Sequence, residues 1–333
     1  MAAQSGLPVG SFDWFPGPAA ESFPNGVYTM TEWLAQMDAY FADAQAHGVP
    51  LMVPMNCNYV AQPSRNFQMF DADGFRGLRG QYDWACAKGV ADVPALQIVT
   101  VNDYNEHHYI QTFGDGSAVV GAPGHDHWSG SLILDHSGFR KFMAYHNARF
   151  KTGSAPAIAN NQFLICYRLH PRSAVSFSDL DEATQTALAA AWLPAGRDIG
   201  YFFDDFQRLG PDAFGHNAPH DVFSDTIQAC VRLRASDLPA HATLSCGDSS
   251  TTMACTEAET IVVVNGAIPV TAGTVTSFGN VTKYEFGGSQ IGATPHLTVT
   301  RDSDGAVLKD ADGPLPISPY IVPGGYNMLA TEL

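Results

Sequence analysis

The first half of the chain contains three segments in which apolar residues recur every three or four positions, the spacing of one face of a helix. Each segment follows a residue that commonly caps a helix: Thr29, Asp73 and Ser137. Thr29 is followed by Glu32, which completes a capping-box signature. We therefore predict three amphipathic helices in this half, separated by shorter elements.

Short apolar runs lie between these helices and predict buried strands. They are a strand-like edge in GSFDWFPGP and continuous runs in PLMVPMN, ALQIVTV and QFLICYR. Strands that alternate with helices through short links are typical of βα repeats on a parallel sheet. Four such strands would be half of a (β/α)8-type barrel. We therefore expect residues 1–177 to form a partial (β/α) barrel.

The pattern changes in the last third of the chain. From about residue 221 to 333, seven short runs alternate apolar and polar residues between Gly, Asp and Asn, which predicts an all-β sandwich domain. Residues 178–220 are then a connector, with one helix predicted from Asp179 to Trp192. The predicted fold class is α/β, with the C-terminal half of a barrel followed by a β-sandwich.

Composition narrows the possible partners. Charged residues make up 15% of the 333 residues, aromatics make up 11%, and the net charge is -16. This charge argues against binding to nucleic acid or to an anionic membrane, whereas a neutral polymer is permitted. No apolar run is long enough to span a bilayer, and the start, MAAQSGLPVG, does not resemble a signal peptide.

Six cysteines are present without a CxxC pair, so we expect neither a zinc site nor a redox site, and no cofactor. Cys246 and Cys255 bracket the polar stretch GDSSTTMA, which we interpret as a loop that a disulfide could close. Such a bridge would imply an oxidising compartment. The other four cysteines are equally consistent with buried free thiols.

The candidate chemistry follows the strand that runs from Leu96 to Val101. The polar residues NDYNEHHY come directly after it, and catalytic groups in α/β folds sit where parallel strands end. Asp103 and Glu106 are therefore a candidate acid/base pair. The alternative interpretation is a polar loop that only leads away from the sheet.

Several motifs resemble one enzyme family. TVNDYNEHHYI resembles TWNDYGESHYI, the signature of glycoside hydrolase family 71, the fungal α-1,3-glucanases or mutanases. The segments GHDHW, FKTGSAP and YRLHPR are similar to others of that family, in the same order. Val101, Asn105 and His107 stand where the family has tryptophan, glycine and serine. The first part of the family's barrel has no counterpart, so we expect a fragment or a diverged member.

The resemblance implies an extracellular or cell-wall glycosidase that cleaves α-1,3-glucan with inversion, with Asp103 and Glu106 as its catalytic pair. Residues three apart in an extended loop lie about 10 Å apart. Because inversion needs carboxyl groups separated by about 6.5–9.5 Å, this spacing allows it. Other side chains are implied to contact sugar, although each could instead serve packing: Asn102, Tyr104, His108, Tyr109, His125, Asp126, Trp128 and Arg168. For Arg168, at a strand end, we favour a role in holding a carboxylate.

Two alternatives remain open. A non-catalytic glucan-binding relative would keep the carboxylates without a complete cleft. A metal-dependent hydrolase would use carboxylates and histidines as ligands, although no HExxH-type spacing orders them. Its candidate ligands are Asp103, Glu106, His107, His108, His125 and His127.

Overall fold

A computed structural model describes residues 11–12, 26–60, 68–99, 109–110, 119–120, 132–172, 174, 179–192, 225–265, 270–271, 285–320 and 328–333. The described helices are α1 (Met30–Ala46), α2 (Gly74–Lys88), α3 (Ser137–Thr152) and α4 (Glu182–Trp192). The described strands are β1 (Ser11–Phe12), β2 (Gly26–Thr29), β3 (Leu51–Asn56), β4 (Tyr59–Val60), β5 (Gln68–Asp71), β6 (Ala95–Val99), β7 (Val119–Val120), β8 (Leu132–Ile133), β9 (Gln162–Arg168), β10 (Ile227–Arg232), β11 (Ala240–Cys246), β12 (Ser249–Cys255), β13 (Glu259–Val264), β14 (Val270–Thr271), β15 (His296–Arg301), β16 (Val307–Asp312) and β17 (Met328–Glu332).

The N-terminal strands form parallel pairs. β1, β3 and β6 make one parallel sheet in that order, with Ser11 opposite Leu51 and Met52 opposite Ala95. β2 and β5 make a second parallel pair, which the antiparallel β4 extends. Helices α1 and α2 lie between these strands in the chain. The predicted alternation of strand and helix on parallel sheets is therefore confirmed as far as Val99, while the closing of these strands into part of a barrel stays a prediction.

The capping signals locate the first two helices. The Thr29 hydroxyl accepts from the Thr31 N–H at 3.2 Å, and the Glu32 carboxylate accepts from the Thr29 N–H at 2.9 Å, which is the predicted capping box. Helix α2 follows Asp73, whose carboxylate pairs with the guanidinium of Arg76. The negative charge of Asp73 thus lies at the positive end of the helix dipole. Its carboxylate bonds to the side chain of Arg76 in the first turn and makes no capping bond to a backbone N–H.

Strand β9 belongs to an antiparallel sheet. This five-stranded sheet has the order β14-β13-β10-β9-β17, with Tyr167 of β9 opposite Ile227 of β10 and Arg168 opposite Met328 of β17. The prediction that QFLICYR is a parallel strand of the half-barrel is therefore wrong. The sheet also extends across the expected domain divisions, because β9 precedes residue 177 and its partner β10 follows residue 221.

Burial on both faces explains this misassignment. Leu164 and Cys166 of β9 belong to one apolar cluster with residues of α2 and α3, whereas Phe163, Ile165 and Tyr167 belong to a second cluster with β11 and β15. The same alternation runs through β10, β13 and β17. A strand covered on both faces is apolar throughout whatever its direction, and such a run is therefore ambiguous. Helices α2 and α3, this sheet and a second antiparallel sheet form three layers.

The second antiparallel sheet has the order β12-β11-β15-β16 and packs on the first, so a sandwich of antiparallel sheets is confirmed. β11 and β12 form a hairpin that turns at Gly247. Its φ of 55° and the closeness of the Ser289 backbone leave no room for a side chain at this position. β12 is the stretch SSTTMAC, so the predicted polar loop is a strand.

This hairpin rules out the predicted disulfide. Cys246 lies opposite Ser249 at the turn, whereas Cys255 lies opposite Ala240 at the other end of the same strand pair. The length of β12 separates the two cysteines by about 20 Å. A disulfide needs Cα atoms within roughly 4.4–6.8 Å. Both are buried free thiols, and the other four cysteines are free as well.

Candidate functional site

The carboxyl end of β3 is lined by buried amide groups. Gln81 of α2 fixes the backbone there, because its Oε1 accepts from the Asn56 N–H at 3.0 Å and its Nε2 donates to the Asn56 carbonyl at 2.9 Å. The side chains of Asn56 and Asn58 are fully buried, and neither amide has a hydrogen-bond partner among the described residues. Buried amides without partners are costly, so they indicate a place built for polar contacts.

Val99 and Tyr109, the described residues on either side of residues 100–108, both lie at this strand end. Val99, the last residue of β6, is paired with Asn56. Tyr109 lies next to β3 as well, because its carbonyl accepts from the Cys57 thiol with a sulfur–oxygen distance of 3.9 Å. Residues 100–108, which include Asp103 and Glu106, therefore join two points that β3 holds at its carboxyl end.

Tyr109 is a core residue in its described contacts. It is 1% exposed, and its hydroxyl donates to the Leu134 carbonyl at 2.7 Å. Its ring stacks on His136 with centroids 4.0 Å apart and planes 8° apart. These contacts favour the packing role that the sequence left open for Tyr109 and make it an anchor for the motif that precedes it.

His136 is a residue that the sequence did not single out. It is fully buried, its Nδ1 lies 2.7 Å from the Tyr109 carbonyl oxygen, and its Nε2 lies 2.7 Å from the Met328 carbonyl oxygen of β17. His136 also precedes α3, which starts at Ser137. Ser137 is therefore the first residue of the helix rather than its cap, and its N–H donates to Asp135 at 2.9 Å.

Arg168 holds a carboxylate, as expected from its place at a strand end. It is 2% exposed, and its Nη2 donates to Oδ1 of Asp71 at 3.1 Å. The same oxygen accepts from the Asp73 N–H at 3.1 Å. This ion pair links the carboxyl ends of β9 and β5, so the expectation that Arg168 ties a carboxylate in place is confirmed.

Asp225 is a second residue that sequence reasoning missed. It is fully buried in front of β10, and its two oxygens each lie 3.0 Å from the Arg172 N–H, while one also accepts from the Phe286 N–H at 3.0 Å. Burial raises the pKa of Asp225 to about 6, and these N–H groups oppose the rise. A carboxyl group with this pKa exchanges its proton close to neutral pH. No sequence signal distinguishes it from a turn aspartate.

A buried ionic cluster joins the helices to the five-stranded sheet. The Glu259 carboxylate of β13 accepts from Arg79 of α2 and from Arg232 of β10, and it lies 3.1 Å from His146 of α3. Burial alone would raise the pKa of Glu259, but His146, Arg232 and Arg79 hold it well below its ordinary value. The cluster is closed to solvent, so its contacts are structural.

The remaining predicted site residues lie outside the described residues, and their roles stay predictions: Asn102, Asp103, Tyr104, Glu106, His108, His125, Asp126 and Trp128. The residues proposed for the metal-dependent alternative lie outside as well. In the part of the chain that the structure describes, no three His, Cys, Asp or Glu side chains are grouped so that they could hold a metal ion. None of the helices described here has the length and apolar character needed to cross a membrane.

Comparison with known protein families defines the class. The model of glycosyl hydrolase family 71 matches residues 19–283, which is well over half of the chain. The protein is therefore a glycoside hydrolase by class. It belongs to glycosyl hydrolase family 71, so the recognition made from the NDYNEHHYI motif is confirmed. Comparison with curated proteins found no match, and comparison with solved structures found none either.

Proposed function

We propose that this chain hydrolyses α-1,3-glucan with inversion and that Asp103 and Glu106 are its catalytic pair. The observation that carries the proposal is the pairing of Val99 with Asn56 together with the contact of Tyr109 with Cys57. These contacts attach both ends of the segment containing the two carboxylates to the carboxyl end of a parallel strand, where α/β enzymes place their chemistry. Membership of a glycoside hydrolase family supports the reaction class.

The proposed reaction needs two carboxyl groups in different protonation states. One, as the acid, gives its proton to the glycosidic oxygen while the bond to the anomeric carbon breaks. The other, as the base, takes a proton from a water that attacks the opposite face of the sugar. Asp103 and Glu106 supply these two groups, and the sequence leaves open which of them is the acid.

Neutral sugar is recognised by hydrogen bonds and by ring stacking. The amides of Asn56 and Asn58, which have no hydrogen-bond partner in the part of the chain that the structure describes, offer donors and acceptors of the kind that sugar hydroxyls need. We propose that the implied set from the motif and from the GHDHW loop completes the contacts: Asn102, Tyr104, His108, His125, Asp126 and Trp128. The net charge of -16 fits a neutral polysaccharide better than an acidic one, and the proposed place of action is extracellular, at the cell wall.

The test is digestion of insoluble α-1,3-glucan by the full chain and by two variants, Asp103→Asn and Glu106→Gln. Each substitution keeps side-chain size and removes an ionisable group, so each should lower the rate of sugar release by about 10²–10⁴-fold or more. Binding to the glucan should persist in both. NMR of the first product should show the β-anomer if the reaction inverts.

Two exposed residues provide matched controls, since Asp248→Asn and Glu257→Gln make the same chemical changes in the turns before and after β12. They should leave the rate unchanged. A wild-type chain that binds the glucan but releases no sugar would support the non-catalytic alternative instead. Activity that a chelator abolishes and a divalent metal restores would support the metal-dependent one.

A further inference from the structure

The end of the catalytic motif is held by a clamp made of three residues, Leu134, His136 and Cys57. The Leu134 carbonyl accepts a hydrogen bond from the Tyr109 hydroxyl. The His136 ring stacks on the Tyr109 ring and donates to the Tyr109 carbonyl. The Cys57 thiol donates to the same carbonyl. Tyr109 is thus fixed at its side chain and at its backbone. Tyr109 is the third residue after Glu106.

We propose that His136 is a positioning residue for Asp103 and Glu106, acting through the backbone carbonyl of Tyr109. The inference rests on the proposed function, because it takes these two carboxylates as the catalytic pair. A carboxylate displaced by about 1 Å from its working position can cost 10²-fold in rate. A rigid attachment three residues after Glu106 limits such displacement.

The hydrogen bonds of His136 make it a rigid link rather than a packing residue alone. Both ring nitrogens face carbonyl oxygens, at 2.7 Å each. Carbonyl oxygens only accept, so a ring nitrogen that carries a proton bonds to the oxygen that it faces. A buried ring that stacks on Tyr109 and faces a carbonyl oxygen with each nitrogen has one orientation, and this orientation is the one that holds Tyr109.

The other end of the link is the C-terminal strand. Nε2 of His136 lies against the Met328 carbonyl. The adjacent Asp135 is held by the same strand, since its carbonyl accepts from the Ala330 N–H at 2.7 Å and its carboxylate accepts from the Thr331 hydroxyl at 2.6 Å. β17 lies beyond residue 283, where the match to the family model ends. A strand outside the matched region therefore fixes the loop that positions the motif.

Three substitutions of His136 separate positioning from mere packing. His136→Ala removes both hydrogen bonds. His136→Asn restores a donor near the position of Nδ1 and hence the bond to Tyr109, whereas His136→Gln restores a donor near the position of Nε2 and hence the bond to Met328. Asn and Gln are both neutral amides that each keep one bond, so they form a matched pair.

The expected result is a loss of about 10²-fold in kcat on α-1,3-glucan for the Ala and Gln variants, with KM nearly unchanged. The Asn variant should recover most of this loss. Hydrogen exchange of peptides covering residues 99–110 should be faster in the Ala and Gln variants than in the wild type and the Asn variant. The exposed His241, substituted by Gln, is the control and should change neither readout.

The inference is overturned if the Gln variant keeps the wild-type kcat and the wild-type exchange rate. It is also overturned if the Asn and Gln variants have equally lowered melting temperatures and show the same loss of kcat and of exchange protection. Exchange reports on the clamp even if the wild-type chain does not cleave this glucan, so failure of the proposed function is recognised separately. If the His136 variants do not fold, nitrogen-15 NMR of the wild-type His136 imidazole serves instead, because the proposal requires a proton on Nδ1 in a hydrogen bond to the Tyr109 carbonyl. A His136 whose Nδ1 carries no proton would also reject the proposal.

Discussion

Replacing Glu259 with glutamine should remove a large part of the stability of the fold while preserving its shape. The carboxylate is 1% exposed, accepts from Arg79, and accepts from Arg232 Nε at 2.7 Å. Glutamine has almost the same volume but no charge. The substitution would therefore leave two buried guanidinium groups without the carboxylate that they share.

The magnitude follows from what each guanidinium would retain. Arg79 would keep Asp83, whose Oδ1 lies 2.9 Å from its Nε. Arg232 has Glu259 as its carboxylate partner among the described residues. Removing one partner of a buried ion pair costs about 3–5 kcal/mol. Because Arg79 keeps a partner, we expect a loss of about 3 kcal/mol, against a total that is typically about 5–15 kcal/mol.

Urea unfolding followed by circular dichroism measures this loss, with Glu257→Gln as the control. Glu257 is exposed and undergoes the same chemical change, so its free energy of unfolding should change by less than about 0.5 kcal/mol. Since the pKa of Glu259 is lowered in the folded state, its contribution is fully present above its ordinary value of 4.5 and disappears as pH falls through the lowered value. The difference between wild type and variant should therefore shrink in acid.

A result would refute this reasoning if Glu259→Gln cost no more than Glu257→Gln at neutral pH. The same conclusion would follow from a difference that stays constant down to strongly acidic pH. Either outcome would mean that the two arginines do not depend on the charge of Glu259.

Two further predictions concern buried groups that do not belong to the motif. Because the pKa of Asp225 is raised from 3.8 to about 6, its contribution to stability is fully present below pH 3.8 and is lost as pH rises through about 6. Carbon-13 NMR should show its carboxyl group titrating near pH 6, and Asp225→Asn should flatten the pH dependence of stability between these two values. All six cysteines should be alkylated after unfolding without a reductant, since each is a free thiol, and mass spectrometry that finds Cys246 joined to Cys255 would contradict the hairpin register.

Local signals in the sequence located the helices and about half of the described strands. The Thr29 and Glu32 capping box, the glycine that ends α3 at Gly153 and the apolar run before Asn56 all act within a few residues of where they stand. Such features depend on short-range hydrogen bonds and backbone freedom, which a sequence displays directly. The NDYNEHHYI motif identified the family for a similar reason, because its residue types and spacing are visible without the fold.

Strand direction and partner choice were decided by tertiary structure. The run QFLICYR reports burial on both faces, and that burial arises from helices on one side and a second sheet on the other. Whether the neighbouring strands run parallel or antiparallel leaves no mark on such a run. The stretch SSTTMAC was predicted to be a loop because most of its residues are small and polar. It is an edge strand, in which half-buried and exposed residues alternate.

The contacts of the buried polar residues also depend on the fold. His136, Asp225 and Glu259 belong to no recognisable motif, and their partners lie far away in the chain. His136 contacts Tyr109 and Met328. Asp225 accepts from Phe286, and Glu259 accepts from Arg79. Sequence alone named the carboxylates because their chemistry is a property of residue type. Their setting is a property of distance in space, since burial, desolvation and hydrogen-bond partners arise only when the sheet and the helices have packed together.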